Sequence, residues 1–183
     1  MHPALLYVPG NRLSLPELSA ARLDGDVVEI GDAYIPADLL ESPDVRASSV
    51  AGFVQDGTAA SGPTAAWIHG AGDAPPSVHH VQRARVRRVR PRPSMRVVFH
   101  DTAVDAADLM RLGGIAVVAP TRTMLDLVLS LHRDAGVLSW VERLAEAIPS
   151  VVPESRAALE ALERVPGTRT GREVLERLAL RRW

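Results

Sequence analysis

Lysine and cysteine are both absent from this 183-residue chain. Without cysteine there can be no disulfide, no thiolate zinc ligand and no thiol nucleophile. Without lysine the chain cannot supply the phosphate-binding lysine of a P-loop, a Schiff-base nucleophile, or the acidic-x-Lys site that restriction-type nucleases generally use. Aromatic residues are few, with three Trp, two Tyr and two Phe, so each large ring is read first as a packing anchor. No apolar run approaches the roughly 18 residues that span a bilayer, and the start Met-His-Pro-Ala-Leu-Leu lacks the basic residues of a signal peptide. The expectation is a cytoplasmic protein with no membrane partner. Catalytic patterns are missing too. There is no Gly-x-Ser-x-Gly elbow and no His-Glu-x-x-His pair, and Gly70-Ala-Gly72 lacks the third glycine of a dinucleotide fingerprint. His79 and His80 are adjacent, so on a strand they point to opposite faces and do not share an ion. No catalytic residue, metal or cofactor is expected.

What is present suffices for a folded protein. Apolar residues make up 46% of the chain and charged ones 23%, enough to bury a core in one ordinary domain or in a small module attached to a larger one. The net charge of −1 conceals a segregation. Residues 1–80 hold three arginines and ten acids, residues 81–96 hold seven arginines and no acid, and residues 97–183 hold eleven arginines and twelve acids. Such a cluster sets a local potential that the whole-chain charge hides.

Along the chain, Ser14-Leu-Pro-Glu17 is a capping-box pattern that opens a short helix ending at Asp24-Gly25. Val27–Ile30, Gly31-Asp32 and Ala33–Ile35 read as a tight hairpin closed by Pro36. A helix followed by a hairpin resembles the end of a winged helix, but an abbreviated one, because only about 25 residues precede the hairpin. Ser42-Pro43-Asp44 starts a second helix whose apolar face runs through Val50, Phe53 and Val54. A helix over Pro63–His69 follows, with His69 expected to meet its last carbonyls. Val78–Val89 and Met95–His100 read as strands joined at Pro91-Arg-Pro93, and Ile115–Ala119 as a further strand. Thr121 then caps a central helix with Met124, Leu127, Val128 and Leu131 at i, i+3, i+4 and i+7. Three more helices are expected, marked by Val137–Ile148, by Pro153-Glu154 and by Thr170-Gly-Arg-Glu173.

Four residues stand out as structural. Arg122 and Asp126 are four apart on one helix and can pair across a turn, with Asp126 set among apolar neighbours where a lone carboxylate is costly. Trp67 reads as a core or domain-interface anchor, and Thr121 as a cap. The arginine run competes for a functional role. On a strand, Arg83, Arg85 and Arg87 share a face, and Arg88, Arg90 and Arg92 continue past a change of register. Two readings stand side by side: internal ion pairs, with Asp101, Asp105 and Asp108 as nearby partners, or a contact surface for nucleic acid or an acidic protein. With no aromatic residue interleaved, phosphate contacts are favoured over base stacking.

Several segments resemble the AbiEi-type antitoxins, the regulatory halves of type IV toxin–antitoxin pairs. Ala33-Tyr34-Ile35-Pro36 matches the end of the family's N-terminal hairpin, and Ser61 to Gly70 its Ser-x-x-Thr-Ala-Ala helix. His80-Val81 matches the opening of its strand pair, and Gly114 to Pro120 the next strand. Thr121 to Leu127 is similar to its Arg-Thr-x-x-Asp-Leu helix, and Pro166-Gly-Thr-Arg169 to its last basic turn. The resemblance implies an α+β fold: a winged-helix-like module over residues 1–56, abbreviated and acidic here, and an antitoxin domain over 57–183 with a few strands packed by C-terminal helices. It further implies a non-enzymatic antitoxin and transcriptional regulator, with operator DNA and a nucleotidyltransferase-like toxin as partners. The alternative is an interaction module without DNA binding that docks an acidic partner through its arginines.

Overall fold

The computed structural model describes residues 5–162 and 165–181, so the reading of the first four residues lies outside it. Helix α1 (Leu15–Asp24) starts where the Glu17 carboxylate accepts from both the backbone N–H and the hydroxyl of Ser14, each at 2.7 Å, and stops at Gly25. Strands β1 (Val27–Ile30) and β2 (Ala33–Pro36) form the expected antiparallel hairpin around Gly31-Asp32. Pro36 pairs opposite Val27 and is the last residue of the hairpin, as expected. Leu18 of α1 packs on Val27 and Tyr34, and the hairpin's Ile30 and Ile35 turn inwards to the central core. Only Val28 and Glu29 of β1 face solvent, so the hairpin presents no basic residue.

Helix α2 (Pro43–Ser49) is capped by Ser42, whose hydroxyl accepts from the Val45 N–H. It is shorter than the apolar pattern suggested. The Ser48 and Ser49 hydroxyls bond back to Asp44 O and Arg46 O, which competes with helix continuation, and a separate 3₁₀ turn covers Ala51–Phe53. Then come β3 (Thr58–Ala60), α3 (Gly62–Ile68), β4 (His79–Arg83), β5 (Val97–Ala103), β6 (Leu109–Leu112) and β7 (Ile115–Val118). These strands form one mixed sheet in the order β5-β4-β3-β7-β6. Neither β3 nor β6 was expected from sequence.

Strand β5 runs parallel to β4, and this overturns the reading of the arginine run as a strand. A parallel neighbour obliges the chain to return to its starting end, which takes about a dozen residues or more. Residues 84–96 make that return, so β4 ends at Arg83 and the arginines from 85 to 92 lie on a loop. Strands β6 and β7 meet through Gly113-Gly114, and Gly113 (φ +54) sits against α2. A Cβ at Gly113 would lie 2.4 Å from Asp44 O, so only glycine fits that approach.

The C-terminal half is helical: α4 (Pro120–Ser130), α5 (Leu138–Ala147), α6 (Val151–Glu160) and α7 (Thr168–Ala179). The last begins two residues earlier than its Thr170 signal suggested. Met124, Leu127 and Val128 of α4 form the centre of a helical core with Leu144, Leu159 and Leu175. A second core joins the sheet (Ala60, Val117) to α3 and to Ile35 and Val45 of the N-terminal segment. The architecture is α+β, as the sequence implied.

Candidate functional site

The loop of residues 84–96 is fastened along its length. The Arg83 guanidinium, with its side chain only 16% exposed, donates to Asp101 O and to the carbonyls of Arg85 and Val86, and pairs with the Asp101 carboxylate at 3.0 Å. Arg83 therefore shapes the loop from beneath and is not a free contact. Arg85 pairs with Asp56 at 2.8 Å, and Arg88 approaches Asp101 loosely at 3.8 Å. Arg96 closes the far end with a two-pronged pair to Asp32 at 2.7 Å and lies over the Phe53 ring. The Gln55 side chain donates to Arg92 O and accepts from the Arg92 N–H, fixing that residue's backbone.

The two readings of the run are thus divided between its members. Arg83, Arg85, Arg88 and Arg96 have acidic partners, while the exposed guanidinium groups of Arg87, Arg90 and Arg92 have none among the described residues. Of the three partners proposed from sequence, Asp101 pairs with the run, whereas Asp108 pairs with Arg122. No ion pair links Asp105 to the run among the described residues. Val86 and Met95 are 95% and 99% exposed on the same loop, so apolar side chains flank the cations.

The structural residues fall as follows. Arg122 donates to Asp126 Oδ1 and to Asp108 Oδ2, both at 2.9 Å, and so joins α4 to the segment before β6. Burial opposes the Arg122 charge, but the two carboxylates outweigh it and raise the guanidinium pKa. Burial raises the Asp126 carboxyl above its ordinary value in spite of Arg122. Asp126→Ala is expected to cost roughly 1–3 kcal/mol, held to that range because Arg122 retains Asp108. Thermal denaturation checks this, and an unchanged melting temperature contradicts it.

Thr121 is not a cap. Pro120 occupies the first turn after Ala119, and the Thr121 hydroxyl instead donates to the Glu154 carboxylate while its carbonyl accepts from Ser155 Oγ, tying α4 to α6. Trp67 is fully buried, and the Arg46 guanidinium lies 5.2 Å from its ring centroid. The His69 ring donates to Val118 O of β7 at 2.7 Å, reaching the sheet and not the carbonyls of its own helix.

Sequence reasoning missed one grouping. A cleft of about 710 Å³ between α4 and the β4–β5 edge is lined by Ser61, His80, His100, Asp126 and Arg133, among others. His80 Nδ1 and His100 Nε2 are 3.1 Å apart, one ring N–H donating to the other ring's bare nitrogen, and the rings stack. Burial, then the neighbouring His100, pushes His80 down to about 4, and burial also lowers His100, so both rings are neutral at pH 7. Ser61 Oγ and Asp126 Oδ2 are buried without a hydrogen-bond partner among the described residues. His80 and Gln82, like His100 and Thr102, share a face by period-two alternation, and that was the signal available. No group of three metal-ligating side chains occurs among the described residues.

The family model described as the AbiEi antitoxin C-terminal domain matches residues 58–177, from the first sheet strand into the last helix. The chain belongs to that family. Family membership supports an antitoxin role, with a toxin as functional partner. No curated protein matches the chain significantly. Among solved structures, the RV2827C protein from Mycobacterium tuberculosis is similar at 16% identity, over 88% of this chain and 68% of that one. Its TM-score of 0.36 is too low for the likeness to bear on fold or function. No described helix of this AbiEi-family chain is long and apolar enough to cross a membrane.

Proposed function

We propose that this protein is an AbiEi-like antitoxin and transcriptional regulator, non-enzymatic, that holds duplex DNA through arginine–phosphate contacts made by the 84–96 loop. One observation carries the reading: Arg87, Arg90 and Arg92 stand exposed, without an ion-pair partner among the described residues, on a loop whose ends and middle are anchored. Guanidinium groups with no carboxylate to give up are free to replace the counterions of phosphates. Arg88 joins them, since its approach to Asp101 is long and its side chain is 89% exposed. The acidic, arginine-poor surface of the hairpin favours this loop over the N-terminal module as the DNA contact. The absence of lysine and cysteine supports a role without catalysis. The toxin would be of the nucleotidyltransferase-like kind.

A docking role is the second reading. Asp56 and Asp101 already bind Arg85 and Arg88, so the loop's arginines accept carboxylates, and an acidic protein surface could take the same place.

Fluorescence anisotropy on a duplex from upstream of the protein's own gene, beside a random duplex, separates the two. For about four phosphate contacts, affinity for either duplex should fall roughly 100-fold between 50 and 200 mM salt. No binding to either duplex at low salt would overturn the DNA reading and leave the docking one.

A further inference from the structure

Resting on that DNA reading, we propose that Arg90 and Arg92 enter the minor groove, and that the loop thereby selects A·T-rich duplex. The backbone sets the spacing of the two side chains. Arg90-Pro91-Arg92-Pro93 places each arginine before a proline, which disfavours helical conformation at the arginine and fixes φ at the proline. Residues 88–94 accordingly form neither helix, strand, turn nor bend. A strand-like extended chain advances roughly 3.3 Å per residue and sets side chains two apart on one face, so Arg90 and Arg92 span about 6.6 Å. Two base-pair steps span about 6.8 Å. Arg90 and Arg92 are therefore spaced to meet alternate steps along one groove.

Groove dimensions decide which groove. The major groove, about 12 Å wide, is read by a helix or a two-stranded ribbon, and this loop is neither. The minor groove, about 6 Å wide, admits a single extended segment, and it narrows over A-tracts into a strongly negative channel that draws in arginine. The weakly hydrated guanidinium suits that entry better than an ammonium would, and arginine is this chain's only strong cation. Anchorage matters as much as charge. Gln55 holds both backbone polar groups of Arg92, so the side chain is presented from a fixed point. Val86 and Met95, before and after the two arginines in the chain, are almost wholly exposed and so available to the apolar sugar walls. Arg87 and Arg88, before the Pro-rich stretch, contact phosphates alone, whereas Arg90 and Arg92, set between the two phosphate walls of the groove, displace counterions as well.

Three duplexes of equal length, with A·T, G·C or I·C cores, test the proposal by anisotropy at one salt concentration. The I·C pair lacks the minor-groove amino group of guanine but keeps the major-groove edge of G·C. Tight binding to A·T and I·C alike, each about 10-fold tighter than to G·C, is expected. An Arg90→Gln/Arg92→Gln variant should lose that preference while retaining weak binding to all three, with its melting temperature unchanged because both side chains are exposed. If I·C behaves as G·C, the contact lies in the major groove and the proposal is wrong. Equal binding to all three, or a preference that survives in the variant, also overturns it while leaving phosphate binding intact. Binding to none of them removes the DNA reading itself.

Discussion

Replacing Trp67 with alanine is expected to destabilise the protein by about 3–5 kcal/mol, the range for truncating a large buried aromatic residue. For a chain of this size that is a fall in melting temperature of roughly 6–20 °C. The position explains the magnitude. Trp67 has no exposed surface and packs in the core where Ile35 and Val45 of the N-terminal segment meet Ala60 and Val117 of the sheet. Its indole N–H points to Asp73 O at 3.4 Å. Arg46 lies over the ring and donates to Trp67 O and Gly72 O, each at 2.8 Å, so the loop after α3 hangs on the same cluster. The cavity left by alanine would open between two parts of the chain and not within one element. Circular dichroism melts check this. A Trp67→Ala variant melting within about 2 °C of the parent would mean that burial of the ring contributes little to stability.

The hairpin was legible because Gly31-Asp32 is a two-residue turn between apolar runs, and α1 because Ser14 and Glu17 stand three apart. Helix α4 was legible because a 3.6-residue apolar stripe carries its own signal. Strand β3 was not, since Thr58–Ala60 is three residues long and two of them are alanine. Strand β6 was hidden likewise, because Leu-Met-Arg-Leu has no β-branched residue and pairs only through the Gly113-Gly114 turn.

The arginine run misled for a different reason. Its alternation of arginine with alanine and valine fits a strand, but the parallel direction of β5 is a property of topology that no local pattern encodes. The pairing of Arg83 and Arg88 with Asp101 follows from that topology, as does the exposure of Arg90 and Arg92. The His80–His100 contact was equally hidden, since it depends on the register between two strands twenty residues apart. Arg122 and Asp126 were predictable as a pair from their spacing, whereas the third member, Asp108, arrives from before β6.

The larger effect on function is expected from the loop. Changing Arg87, Arg88, Arg90 and Arg92 together to glutamine should weaken binding to any duplex by on the order of 100-fold or more at moderate salt. Stability should barely change, because three of these side chains have no partner among the described residues and the fourth is paired only at 3.8 Å. The most direct measurement is the slope of log affinity against log salt, taken for the parent and this variant beside their melting temperatures. Phosphate contacts by the loop predict a slope shallower by roughly 0.9 for each contact removed, up to about 3.6, at an unchanged melting temperature. An unchanged slope with intact DNA binding, or a large loss of stability with no change in affinity, would contradict them.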